Sequence, residues 1–427
     1  MAALTHDPSE YIRGLQQILI SDKKKLAFLF GAGTSLAKKN EKALCLPAID
    51  KLTQEVETEL SKNPKYAKAL EEIRSDIGET KYNIETLLSN IEQKQQIIAK
   101  GTLNGLKAEE LKELIKEVKN QIRNKVSIHK EIMSDKQCLE NLIHVDFAEW
   151  IARADRKYPI EIFTTNYDYL FELAMESENV PYYDGFTGSY EPFFNAESIE
   201  DPLFLPHQSK LWKLHGSLGW HYDENTHKVL RKDSSEQDIL IYPSTLKYSD
   251  SKKQPYISLM DRLSNYLKQD DTILITCGYS FSDDHINERI VTALNTNSAS
   301  HVIALLYDIV GDSKTKKYVL DENSRLVKMA KTNSKLSVYG CRNAVIGCQF
   351  GKWKLKREPD KTDTLNVNLY FDEDAYFGED KIRIEKKGGE TWTGEGELIL
   401  PDFSKFVFFL KSMIIDNKLF WVTSNDK

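Results

Sequence analysis

Four short segments carry residues able to do chemistry together, and each follows an apolar run. Gly31-Ala32-Gly33-Thr34-Ser35 has the small residues that let backbone N–H groups approach a phosphate. Alone it is also an ordinary tight turn, since the third glycine of the usual dinucleotide fingerprint is missing. Phe163-Thr164-Thr165-Asn166-Tyr167-Asp168 sets an amide and a carboxylate just past a strand-like run. There an Asx turn, or Asp168 capping the helix expected to start at Tyr169, is the alternative to a site. Lys213-Leu214-His215-Gly216-Ser217-Leu218-Gly219-Trp220 offers one imidazole, which titrates near neutral pH and suits general-base work. A lone histidine can equally be structural. Cys277-Gly278-Tyr279-Ser280-Phe281-Ser282-Asp283-Asp284 supplies hydroxyls and carboxylates suited to ribose, or a helix cap at Ser282 or Asp283.

The elements needed to position these segments are legible as periodicity. Tyr11, Ile12, Leu15, Ile18 and Leu19 recur at helical spacing, and Leu26 to Phe30 reads as a buried strand that stops at the glycine turn. Strand-like runs follow at Ile160–Phe163, Leu211–Leu214, Ile239–Tyr242, Thr272–Thr276 and Val302–Tyr307, with helical patterns at Tyr169–Glu176, Tyr256–Leu267 and Asp284–Leu294. Such alternation predicts an α/β fold, a Rossmann-like, mostly parallel sheet with helices on both faces. Ligands then bind beyond the carboxyl ends of the strands. Between about residues 50 and 150, Glu-, Lys-, Leu- and Ile-rich segments such as Leu106–Val126 form a large helical insertion whose charges are read as solvated faces. Beyond about residue 335, short runs at Leu336–Tyr339, Leu365–Phe371, Lys381–Glu385 and Glu397–Leu400, then an apolar tail from Phe406 to Ile415, predict a small β-rich carboxyl-terminal region. The expected division is a nucleotide-binding catalytic domain over 1–310 and a carboxyl-terminal region over 311–427, suited to oligomerisation or a partner.

Composition narrows the classes. With 58 Lys and Arg against 65 Asp and Glu, the net charge of −7 offers no general attraction to nucleic acid, and direct nucleic-acid binding is not expected. The chain has neither a signal-peptide start nor an apolar run of the ~20 residues that span a bilayer, so a cytoplasmic protein is expected. Its five cysteines are scattered and never spaced as Cys-x-x-Cys, which argues against a zinc ribbon, and no metal is predicted. Cys277 reads as a small buried strand residue rather than a reactive thiol.

As an ordered set, Gly31-Ala32-Gly33-Thr34-Ser35, Thr165-Asn166-Tyr167-Asp168, Leu214-His215-Gly216-Ser217 and Gly278-Tyr279-Ser280 resemble the Sir2 family, in particular its bacterial Sir2-like branch in antiphage defence. The resemblance implies that Gly31, Ala32, Gly33, Thr34 and Ser35 line the phosphates of NAD⁺ and that Asn166 and Asp168 face the nicotinamide-ribose end, beside Thr165. It makes His215, followed by Gly216 and Ser217, the catalytic histidine, and sets Ser280 after Gly278 near the adenosine ribose. The four-cysteine zinc module of protein-deacylating sirtuins is missing, and Thr-Asn-Tyr-Asp stands where they typically carry Gln-Asn-Ile-Asp. The implied activity is therefore NAD⁺ hydrolysis to nicotinamide and ADP-ribose. An NAD⁺-dependent deacylase and a non-catalytic NAD or ADP-ribose binding module remain the alternatives. The same resemblance implies a homo-oligomer and a HerA-type ATPase as partner.

Overall fold

The computed structural model describes residues 4–154, 156–223, 225–233, 238–240, 254–311, 315–360, 362–374 and 393–414. The buried run Leu26–Phe30 is the middle of a ten-stranded sheet. In spatial order its strands are Thr5–His6, Gln349–Trp353, Asn343–Ile346, Leu336–Tyr339, Ser300–Leu305, Thr272–Cys277, Lys25–Phe30, Glu161–Thr164, Ser209–Lys213 and Tyr182–Tyr183. Six consecutive strands, from Leu336–Tyr339 to Ser209–Lys213, run parallel, and only the hairpins through Asn343–Ile346 are antiparallel. From Lys25–Phe30 the chain first builds outward on one side through Glu161–Thr164 and Ser209–Lys213. It then returns to build the other side from Thr272–Cys277. This reversal makes the gap between Lys25–Phe30 and Thr272–Cys277 the switch point at which doubly wound sheets open a crevice.

The two-residue period of the central strand separates two cores. Phe28 and Phe30 face one side, where Phe147, Trp150, Phe171, Phe403 and Phe406 surround them. Phe28 and Phe30 stack at 5.4 Å, and Phe30 stacks on Phe171 at 5.0 Å. Ala27 and Leu29 face the other side, against Leu259 and Leu263 of the Tyr256–Leu267 helix and Ile286 and Ile290 of Asp284–Thr296. Helices therefore cover both faces, as the alternation predicts.

The helical insertion has a core of its own. Helices Ile49–Leu60, Pro64–Ile77, Ile84–Ile97 and Ala108–Val126 bring together Val56, Ile73, Leu88, Leu114 and Val118. That cluster continues into Leu218, with Tyr167 and Tyr169 packed against it, so the insertion rests directly on two of the chemistry-bearing segments.

Past residue 310 the structure is more entwined with the core than the periodicity suggests. Leu336–Tyr339 pairs in parallel with Ser300–Leu305, register Val302 to Leu336, so the main sheet runs across the expected boundary at residue 310. The tail is the helix Phe403–Lys411, whose Phe403 and Phe406 sit beside Phe30 and Phe28. Leu365–Phe371 contains a short 3-10 turn at Val367–Leu369 before the strand Phe371–Glu373. The strand at Asp238–Leu240 belongs to a separate five-stranded sheet and is antiparallel to Gly216–Asp223, while Ile241, Tyr242, Lys381–Glu385 and Ile415 lie outside the described residues.

Two buried polar features mark the core. The Glu161 carboxylate takes Arg262 Nη2 at 2.5 Å, Arg262 Nε at 3.0 Å and Trp212 Nε1 at 2.7 Å, tying two strands to the helix over them. Removing one partner strands a buried charge, so Arg262→Met is expected to cost about 3–5 kcal/mol in denaturant unfolding, with part of the loss recovered in the double variant with Glu161→Gln. His144, wedged between Phe171 and Phe403, has no hydrogen-bond partner on either ring nitrogen among the described residues, and burial pushes its pKa from 6.5 down to about 4. The fold thus holds it neutral. Its contribution is complete above pH 6.5 and is lost as the pH falls toward 4, because only the unfolded chain takes up the proton. At 1.36 kcal/mol per unit this amounts to about 3 kcal/mol, so His144→Leu should flatten the fall in stability over that window relative to the parent protein.

Candidate active site

The four segments leave four adjacent parallel strands at one level. Cys277 is paired with Phe30, Phe30 with Thr164, and Thr164 with Lys213, so the loops that follow all open on the same edge. Hydrogen bonds then join them into a closed ring. Asn166 Nδ2 donates to Gly31 O at 3.1 Å, Thr34 Oγ1 at 3.0 Å and Ser35 Oγ at 2.8 Å. Ser35 Oγ donates to Asp168 Oδ2 at 2.6 Å. Lys213 Nζ donates to the Asp168 carbonyl and, at 2.7 Å, to Glu172 Oε1, which links the second segment to the third. His215 Nε2 meets Asp283 Oδ2 at 3.0 Å, linking the third to the fourth.

The fourth segment returns to the first through bare backbone. Gly33 N donates to Gly278 O at 3.0 Å and Gly31 N to Cys277 O at 3.4 Å. A Cβ on Gly33 would lie 2.7 Å from Gly278 Cα, and one on Gly278, whose φ is +64°, would lie 2.6 Å from Thr34 N. Sequence reasoning assigns Gly33 to the approach of a phosphate and Gly278 to the segment near the adenosine ribose; the structure supplies a nearer cause for both, because two loops touch with no room for a side chain. The amides of Gly31, Gly33 and Thr34 all have backbone acceptors, the last being Gly31 O at 3.0 Å. The turn Ala32–Leu36 is a single short helical turn.

These contacts divide the labour of the expected site residues. With Asn166 Nδ2 spent on the glycine turn, its Oδ1 is the atom that can serve a substrate, as an acceptor. Asp168 is buried, and its second oxygen accepts from Leu170 N at 3.0 Å, an Asx turn rather than the helix cap weighed beside it, because the helix Leu170–Ser177 has Tyr169 at its N-cap and no side-chain capping bond. Thr165 joins the edge through its amide, which donates to Phe30 O at 3.0 Å. Gly216 holds φ +91° in the turn after His215. Ser280 sits apart from the ring, its Oγ 2.9 Å from Ser282 Oγ in an exposed position. Asp283 appears in the sequence as a possible helix cap; the structure adds the contact with His215, which no spacing rule signals across 68 residues.

A cavity of about 500 Å³ lies behind this edge, walled by Ser217, Tyr169, Glu172, Asp184, Trp220 and Arg231 among others. Burial raises the carboxyl pKa of Glu172 and of Asp184, against the opposing pull of Lys213 and Arg231. Ser217 faces this cavity two residues past His215. Cys277 is buried with Sγ 3.6 Å from Pro401 O, and burial pushes its thiol up, as a packing role requires. Among the described residues no group of three His, Cys, Asp or Glu side chains is arranged to hold a metal ion, and no helix is long and apolar enough to cross a membrane.

Fold and edge together define a doubly wound α/β protein with its candidate site at the switch point. Residues 160–327 match the family model described as the SIR2-like domain, a stretch that contains Asn166, Asp168, His215 and Gly278–Asp283 but not the glycine turn. No curated protein matches the chain. A solved structure described under "Structural Basis for the Mechanism and Regulation of Sir2 Enzymes" is 13% identical, over 69% of this chain and 84% of that one, with a TM-score of 0.27, a likeness too loose to carry residue roles across.

The loop contact makes a direct prediction. Gly278→Ala combines a left-handed backbone with a clash against Thr34 N and should cost about 2 kcal/mol or more, while Gly14→Ala, in a helix with open space around it, should be neutral or stabilising. Thermal melting of the two variants reads the difference, and equal melting points would mean the loops do not meet as described.

Proposed function

We propose that the protein hydrolyses NAD⁺ at the nicotinamide N-glycosidic bond, giving nicotinamide and ADP-ribose. The observation that carries this reading is the common level at which the glycine turn, Asn166, Asp168, His215 and Gly278 leave four neighbouring strands, on the edge where such sheets take nucleotides. The SIR2-like match over 160–327 supports the NAD-related chemistry. Loss of the cationic nicotinamide builds oxocarbenium character on the ribose, as in other glycosidic cleavages. In this reading Gly31–Ser35 lies under the phosphates, with Ser280 toward the adenosine ribose. Asn166 Oδ1 accepts from the attacking water or a ribose hydroxyl and His215 takes the proton, with the charge and position of Asp168 supporting the nicotinamide end.

The resemblance drawn from the motifs supports the wider setting we propose: a cytoplasmic homo-oligomer in antiphage defence, restrained until infection and working with a HerA-type ATPase. An unrestrained NAD⁺ hydrolase is toxic to its own cell, which is the reason such an enzyme needs a partner or trigger.

The test is product identification after incubating the protein with NAD⁺, with and without an acetylated peptide. Nicotinamide and ADP-ribose without peptide are expected, and O-acetyl-ADP-ribose formed only with peptide would replace hydrolysis by deacylation. His215→Ala should lower turnover by about 10²–10⁴ while leaving the fold intact, and near-normal cleavage by that variant would remove His215 from the mechanism.

A further inference from the structure

Asp283 does more than a helix cap requires. Its Oδ1 accepts from His285 N at 3.0 Å and Ile286 N at 3.3 Å, which already completes the cap of the Asp284–Thr296 helix. Its Oδ2 lies 3.0 Å from His215 Nε2, with both side chains largely withdrawn from solvent. The two backbone amides prevent the carboxylate from turning away. The loop that carries it is itself over-determined: Asn287 Nδ2 donates to Phe281 O at 2.8 Å, and the Tyr279 hydroxyl donates to Asn287 Oδ1 at 3.0 Å. Phe281 is a buried aromatic residue held at φ +57°, a backbone region costly for any side chain of that size. Such a position persists only where the surroundings enforce it.

A carboxylate only accepts, so a hydrogen bond at this distance needs the ring proton on Nε2. We infer that Asp283 is the positioning residue for His215: it holds the imidazole as the Nε2–H tautomer and makes Nδ1 the nitrogen that takes up a proton. The catalytic half of this inference rests on the hydrolase reading; the tautomer does not. In the reaction the O–H bond of water or of a ribose hydroxyl breaks, the oxygen keeps the electron pair, and the proton forms a bond to Nδ1. The resulting imidazolium keeps its other proton on Nε2, facing the Asp283 carboxylate, which offsets the new positive charge.

Asparagine caps helices as well as aspartate does, so Asp283→Asn separates the two roles. Its Oδ1 can still accept from His285 N and Ile286 N, but an NH₂ group would face Nε2 and favour the opposite tautomer. Ring-nitrogen NMR of the full chain labelled with ¹⁵N-histidine should show His215 as Nε2–H in the parent and as Nδ1–H in Asp283→Asn. With NAD⁺ as substrate, kcat should fall about 10²–10⁴-fold with KM little changed and the melting temperature preserved. Asp283→Ser, which keeps a capping hydroxyl but lacks the second oxygen, should lose kcat as well, and it serves in place of the first variant if that one misfolds. An Nδ1–H tautomer in the parent protein, or parental kcat in a folded Asp283→Asn, would overturn the inference. Should His215→Ala itself cleave NAD⁺ normally, the catalytic role of His215 falls, and the tautomer measurement still decides whether Asp283 sets the ring; O-acetyl-ADP-ribose formed only with acetylated peptide would instead overturn the hydrolase reading.

Discussion

The contact between Gly33 and Gly278 governs the rest of the site. Two loops from neighbouring strands approach until backbone meets backbone, with Gly33 N donating to Gly278 O at 3.0 Å. Because that contact leaves no space for a Cβ on either side, the loops have one relative position rather than a range. Asn166 and Ser35 extend the same constraint to the third strand, and Lys213 extends it to the fourth. His215 and Asp283 are then brought within hydrogen-bond distance by a frame already fixed elsewhere. Order of this kind lowers the reorganisation that a catalytic step would otherwise require.

The frame can be this tight because the strands beneath it are buried on both faces. Phe28 and Phe30 anchor one layer of helices while Ala27 and Leu29 anchor the other, so the Lys25–Phe30 strand cannot slip by one residue without turning its phenylalanines into the wrong core. Register at the strand is therefore register at the edge. A shift there would carry Gly31 away from Gly278 and Asn166 together.

Much of this was legible in the sequence, and the reason is local. Leu26–Phe30, Thr272–Thr276 and their partners are short apolar runs ending in glycine or in polar residues, and that pattern is visible without knowing the neighbours. The parts that escaped depend on distant pairing. Nothing near Leu336 says that it will lie beside Val302, and nothing near Phe403 says that its ring will cover Phe30. The same applies within the site. Asp283 reads as a helix cap because the residues after it look helical, whereas its second contact lies on a different strand. Asn166 reads as a substrate ligand because it follows a strand, whereas its amide nitrogen turns inward to hold the glycine turn.

The ring of hydrogen bonds also has a direction in time. A ribosome makes the glycine turn first and the Gly278–Asp283 loop last among the four site segments, and domains of this size acquire structure as they emerge. Until residue 283 has left the exit tunnel, Gly33 has no Gly278 to rest against and His215 has no carboxylate at Nε2. A nascent or truncated chain ending earlier would therefore carry every other part of the site without its closure. The order of the segments thus leaves an unfinished copy with an open edge until its fourth loop arrives.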